Sequence, residues 1–95
     1  MENKTIVISG GAGLLGSEFT KTLVEVSKYV IVLDLPNKIQ ENKYRTNCRG
    51  FGIDITDELQ VKETIKQIYD IYGIDILINC AAYNEQPDEN IDNSF

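Results

Sequence analysis

At 95 residues the chain has the length of one small domain, whose core covers only about 60–65 % of the surface its unfolded form exposes. A content of 42 % hydrophobic and 25 % charged residues is that of a globular protein; no run approaches the roughly 20 apolar residues of a membrane span, and no signal-peptide pattern is present, so the expectation is a cytoplasmic protein with no membrane partner. The net charge of −6 leaves no basic face for a nucleic-acid backbone, and two cysteines, Cys48 and Cys80, without any histidine leave no metal site.

The first element is Thr5-Ile6-Val7-Ile8, apolar and β-branched on consecutive positions, which suits a parallel strand buried on both faces. It runs into Ser9-Gly10-Gly11-Ala12-Gly13-Leu14-Leu15-Gly16. Glycines between a strand and a helix let the backbone turn sharply and approach a ligand, and they leave the amides of the first helical turn aimed at an anion. A dinucleotide pyrophosphate fits that setting; a turn that needs small residues for packing alone is the plainer alternative. Leu15, Phe19, Leu23 and Val26 then recur at roughly helical spacing and predict the buried stripe of the first helix.

Tyr29-Val30-Ile31-Val32-Leu33 predicts a second strand ending at Asp34, with Pro36 stopping its ladder. Residues 37–49 are polar and predict a short surface helix or loop. Arg49-Gly50-Phe51-Gly52-Ile53 predicts a third, weaker strand, followed by Asp54-Ile55-Thr56-Asp57. Asp57 has the place of an N-cap, with Gln60 at the capping-box position. Val61, Ile65, Ile68, Tyr69 and Tyr72 form an apolar stripe closed by Gly73. Asp75-Ile76-Leu77-Ile78-Asn79-Cys80 reads as a fourth strand buried on both faces, and residues 84–95, acidic and with Pro87, as a loop or tail.

This alternation predicts an α/β fold: a doubly wound, Rossmann-like parallel sheet in the order 3-2-1-4, with helices on both faces. In such sheets ligands bind beyond the carboxyl ends of the strands. The glycine turn, Asp34, Asp54 and the segment after Asn79 all fall at those ends, so one rim is expected to gather them. Asp34 lies 18 residues past Gly16, close to the spacing of a carboxylate that accepts the adenosine ribose hydroxyls. Its charge would repel a 2′-phosphate, and neither the glycine turn nor Leu35-Pro36-Asn37 supplies a cation, so NAD is expected rather than NADP. Asp54 with Ile55 could hold the adenine, or Asp54 could be a second helix cap. Asn79 could touch the cofactor or tie the sheet together.

Taken as a set, residues 9–16, Asp34, the run 54–57 and residues 76–82 resemble the short-chain dehydrogenase/reductase superfamily, over residues 4–83. The resemblance implies an NAD-binding half-domain at residues 1–83, incomplete relative to the family's full fold. It implies cofactor contacts at Gly10, Gly13, Leu15 and Gly16, at Asp34, at Asp54 with Ile55, and at Asn79 with Ala81. The pattern departs from the family's NNAG-like segment at Cys80 and Ala82, and the spacing of Gly10, Gly13 and Gly16 is similar to the extended, epimerase-like branch.

The same resemblance implies chemistry by a Ser and a Tyr-x-x-x-Lys pair, and none is found. Tyr29, Tyr44, Tyr69, Tyr72 and Tyr83 are followed four residues later by Leu33, Cys48, Gly73, Ile76 and Pro87. Two readings follow. One is the amino-terminal, truncated portion of an NAD-dependent oxidoreductase acting on an alcohol or carbonyl, which could be a sugar's, or alternatively of an NAD-dependent sugar epimerase or dehydratase of the extended branch. The other is a nucleotide-binding or interaction module without turnover. In either, the fourth strand is an exposed edge through which the chain could self-associate.

Overall fold

A computed structural model of the chain describes residues 2–80. Four strands, β1 (Thr5–Ser9), β2 (Tyr29–Asp34), β3 (Cys48–Gly52) and β4 (Ile76–Asn79), form one sheet in the order β3-β2-β1-β4. All three pairings are parallel, with Ser9 level with both Leu33 and Asn79, and Asp34 level with Gly52. The sheet order and the parallel register are those expected from the sequence.

Alternation along the strands splits the core in two. Ile6, Ile8, Val30, Val32 and Cys48 face the helix α1 (Leu14–Leu23), packing with Leu23, Val24, Ile39 and Tyr44. Val7, Ile31, Leu33 and Ile53 face α2 (Glu58–Tyr72), packing with Ile68, Val61, Ile65 and Tyr72. The helices therefore cover opposite faces. The fully buried isoleucines and valines of β1 and β2 are the centre of the fold, each contributing about 1.5–3 kcal/mol by leaving water.

Three expectations are corrected. The stripe assigned to α1 faces outward at Leu15, Phe19 and Val26, all more than a third exposed, while Gly16 and Thr20 are buried. The helix sits so close to the glycine turn that only small residues fit: a Cβ on Gly16 would lie 2.0 Å from the Gly10 carbonyl oxygen. In α2, Tyr69 is 63 % exposed, and the buried positions are Thr64 and Ile68. β4 is half-buried rather than buried on both faces, with Leu77 61 % exposed, because it is an outer strand and no element covers that position among the described residues.

Other local signals are as expected. Asp57 caps α2, its Oδ1 accepting from Gln60 N–H at 3.2 Å, and Gly73 closes the helix at φ 79°. Gln60 completes the cap differently from a standard box, since its Oε1 accepts from Asp54 N–H at 2.8 Å. The polar connection between β2 and β3 forms two 3-10 turns, at Pro36–Lys38 and Glu41–Lys43. It lies on β3 because Gly52 and Gly50 leave room for Pro36, Ile39 and Tyr44.

Candidate functional site

Parallel pairing brings all four strand carboxyl ends to one rim, and hydrogen bonds join them into a continuous line. At β4, Asn79 Oδ1 accepts from Ser9 Oγ at 2.9 Å. From β1 the backbone turns at Gly10, with φ 75°, a conformation that favours glycine. The Gly10 N–H donates to the Leu33 carbonyl at 2.7 Å, laying the turn across the end of β2. There Asp34 Oδ2 accepts from Ala12 N–H at 3.0 Å, and Oδ1 from Leu35 N–H at 2.8 Å. The Asp34 carbonyl in turn accepts from Ile53 N–H at 2.8 Å, leading to Asp54.

The glycine turn delivers a helix start suited to an anion. Gly13 occupies the N-cap of α1 with extended backbone, no side chain accepts from the first-turn amides, and that turn holds no acid. The amides of Leu14, Leu15 and Gly16, with the positive end of the helix dipole, are thus left for a negatively charged group. Leu15 offers this turn its backbone N–H, while its side chain is half-exposed.

Asp54 is held by its own turn. Its Oδ1 accepts from Thr56 N–H at 3.0 Å and from Thr56 Oγ at 2.7 Å. These bonds hold its carboxyl below the usual carboxylate range. Asp54 is therefore not a second cap of α2, which Asp57 caps; its Oδ1 closes the turn onto Thr56 ahead of the helix, and no hydrogen bond engages Oδ2 among the described residues. Ile55 beside it is 50 % exposed, an apolar surface at the rim. Of the residues expected at the site, Gly10, Gly13, Leu15, Gly16, Asp34, Asp54, Ile55 and Asn79 lie along this rim; Ala81, like residues 84–95, is outside the described residues.

Sequence reasoning placed Ser9, Ala12, Thr56 and Gln60 within the motifs but gave none of them a part in the site; each enters it by a hydrogen bond, to Asn79, Asp34, Asp54 and Asp54 respectively. It also missed a cavity of about 520 Å³ between α1 and the β2–β3 connection, which borders Gly11 and Ala12 and is lined by Lys21, Lys38, Lys43 and Arg45. Neither the glycine turn nor residues 35–37 carries a cation; these four basic side chains share a cavity with Gly11 and Ala12 because the connection folds back over β3 and α1. At the cavity's inner end, burial, helped by the charge of Glu41, pushes the Cys48 thiol up to about 11. No group of His, Cys, Asp and Glu able to hold a metal occurs among the described residues, and none of their helices is long and apolar enough to cross a membrane.

The chain is similar to known proteins in sequence and in fold. The chain is 34 % identical over 80 residues to human 3-hydroxyacyl-CoA dehydrogenase type-2, covering 80 % of this chain and 31 % of that protein. Its fold matches a short chain dehydrogenase of Leptospira borgpetersenii solved with bound NAD+, with a TM-score of 0.69, 30 % identity, and coverage of 83 % of this chain and 31 % of that one. It also matches the aldohexose dehydrogenase of Thermoplasma acidophilum in ligand-free form, with a TM-score of 0.67, 26 % identity, and coverage of 82 % and 29 %. The chain thus spans about a third of the length of these relatives. The family profile described as short chain dehydrogenase matches residues 4–94, and the chain belongs to that family.

Proposed function

We propose that the rim binds the adenosine diphosphate part of a nicotinamide dinucleotide, as the cofactor-binding portion of an oxidoreductase. The observation that carries this reading is the Asp34 carboxylate. It holds the glycine turn through Ala12 N–H and stands at the end of β2, where its remaining lone pairs can accept the ribose hydroxyls. The uncapped first turn of α1 supports the pyrophosphate position, with Gly10, Gly13 and Gly16 shaping the turn. Asp54 Oδ2 and Ile55 are assigned to the adenine, and Asn79 and Ala81 to the cofactor beyond β4. Negative charge at Asp34 favours NAD over NADP.

Hydride transfer between NAD and an alcohol or carbonyl carbon, including one on a sugar, is the reaction proposed for the protein of which these residues form the cofactor half. When bound, the nicotinamide supplies the hydride acceptor or donor; these residues orient and retain the dinucleotide. Turnover by the 95 residues alone is not expected, since no tyrosine here is followed by a lysine four residues on and a general acid must reach the reacting oxygen. Self-association through β4 accompanies this reading. Its strand, Ile76–Asn79, carries no charge to discourage pairing, whereas on β3 the Gly50 N–H is occupied by Glu41 Oε2 at 2.6 Å.

Calorimetric titration with NAD tests the proposal. The chain is expected to bind NAD, and Asp34→Ala to weaken binding by roughly tenfold or more, the loss of one charge-assisted contact. Equal affinity before and after the substitution would remove Asp34 from the site.

A further inference from the structure

The cavity between α1 and the β2–β3 connection is a second built feature of the molecule, adjoining the rim at Gly11 and Ala12 and extending away from it to Val24, Arg45 and Cys48. Its far wall is fastened at both ends. At one end, Pro36 lies against Gly52, and Ile39 and Tyr44 lie over Gly50. At the other, Arg45 Nη1 pairs with Glu25 Oε2 at 2.6 Å, and Asn47 Nδ2 donates to the carbonyls of Val24 at 2.9 Å and Ser27 at 3.2 Å. A connection strapped to β3 on one side and to the end of α1 on the other holds the space between them open.

Charge marks what that space would take. In a chain of net charge −6, four of the nine basic residues line this one cavity, with Glu25 the single acid among them. Glu25 is paired with Arg45, and Lys21 stands 3.7 Å from Glu18. Lys38 and Lys43 have no acidic partner among the described residues. Glu41, between them in sequence, is held by Gly50 N–H outside the cavity's lining, and its charge is felt there at Tyr44 and Cys48. Beneath this cationic mouth, Val24, Tyr44 and Cys48 give an apolar interior. The volume is in the range of small-molecule sites, which pair an apolar lining with a few placed polar groups.

We infer that this cavity is a second ligand site, for a small amphipathic anion: an apolar or aromatic body seated on Val24 and Cys48, with a phosphate or carboxylate held between Lys38 and Lys43. It is independent of the dinucleotide rim, although Gly11 and Ala12 border both, so an occupant would touch the back of the glycine turn.

The test uses the whole chain and three probes: 1-naphthyl phosphate, the neutral naphthalene-1-methanol, and inorganic phosphate, each followed through backbone amide shifts by NMR. Naphthyl phosphate is expected to shift Thr20, Lys21, Val24, Tyr44, Arg45 and Cys48, and to bind at least about tenfold more tightly than either partial probe. The exposed double substitution Lys38→Gln with Lys43→Gln is expected to weaken it about tenfold, while leaving NAD affinity and the thermal midpoint unchanged. Binding that is indifferent to the double substitution, equal binding of the neutral probe, or complete displacement by saturating NAD would each overturn the inference. Failure of the dinucleotide reading would appear separately, as absent NAD binding to the unsubstituted chain.

Discussion

Single side chains here act mainly through what they do to the backbone beside them. Asp34 and Asp54 are both acids at strand ends, yet each gives part of its carboxylate to nearby N–H groups, Ala12 and Leu35 for one and Thr56 for the other. The expected consequence for Asp54 is readable by NMR titration: Thr56→Val removes the hydroxyl donor, the largest cause of its lowered pKa, and should move its pKa back up toward the ordinary carboxylate value. An unchanged titration would mean that the hydroxyl bond does not form in solution. Cys48 shifts the other way. Its pKa is raised in the folded state to about 11 from 9.0, so its contribution to stability is fully present below the unfolded thiol's pKa and is lost as pH rises from about 9 through 11. Denaturant melts across that window should show alkaline destabilisation that is reduced in Cys48→Ala, relative to each protein's own stability at pH 7. Gly16→Ala is expected to cost about 2 kcal/mol or more, because its Cβ would meet backbone atoms, which cannot rotate away; a thermal melt measures it.

At the scale of elements, the caps and breaks were legible and the packed faces were only partly so. Asp57 and Gly73 act as their residue types suggest, since capping and left-handed backbone are local chemistry; Asp57→Ala should cost about 1 kcal/mol in a chemical melt. The buried face of α1 was hidden because the reading ranked residues by hydrophobicity, whereas the helix approaches the turn on Gly16 and Thr20, and Thr20 satisfies its own hydroxyl by donating to the Gly16 carbonyl at 2.8 Å. Tyr69 was misplaced for a related reason: the position nearer the sheet, Thr64, is polar. β4 reads as a run of apolar residues, but Leu77 is exposed, because burial depends on a neighbour beyond the strand and not on the strand's own composition. The rim itself was legible, since parallel topology puts every strand's carboxyl end together. The fastening of the β2–β3 connection over α1 was not, because it depends on side-chain bonds from Arg45, Asn47 and Glu41 across many residues.

Across the whole molecule, a two-faced sheet supplies the stability and a single rim supplies the proposed function, while both edges of the sheet are treated unequally. The β4 edge predicts concentration-dependent association, and Leu77→Lys should shift sedimentation toward the monomer without lowering NAD affinity. The central claim is that tips from four strands act on one ligand. It is tested most directly by titrating NAD into the isotopically labelled chain and recording which amides move. The account predicts that residues 10–16, 34, 54, 55 and 79 shift together, with one common dissociation constant. Shifts confined to one of these segments, or clustered on the opposite, amino-terminal end of the sheet near Thr5 and Asp75, would contradict it.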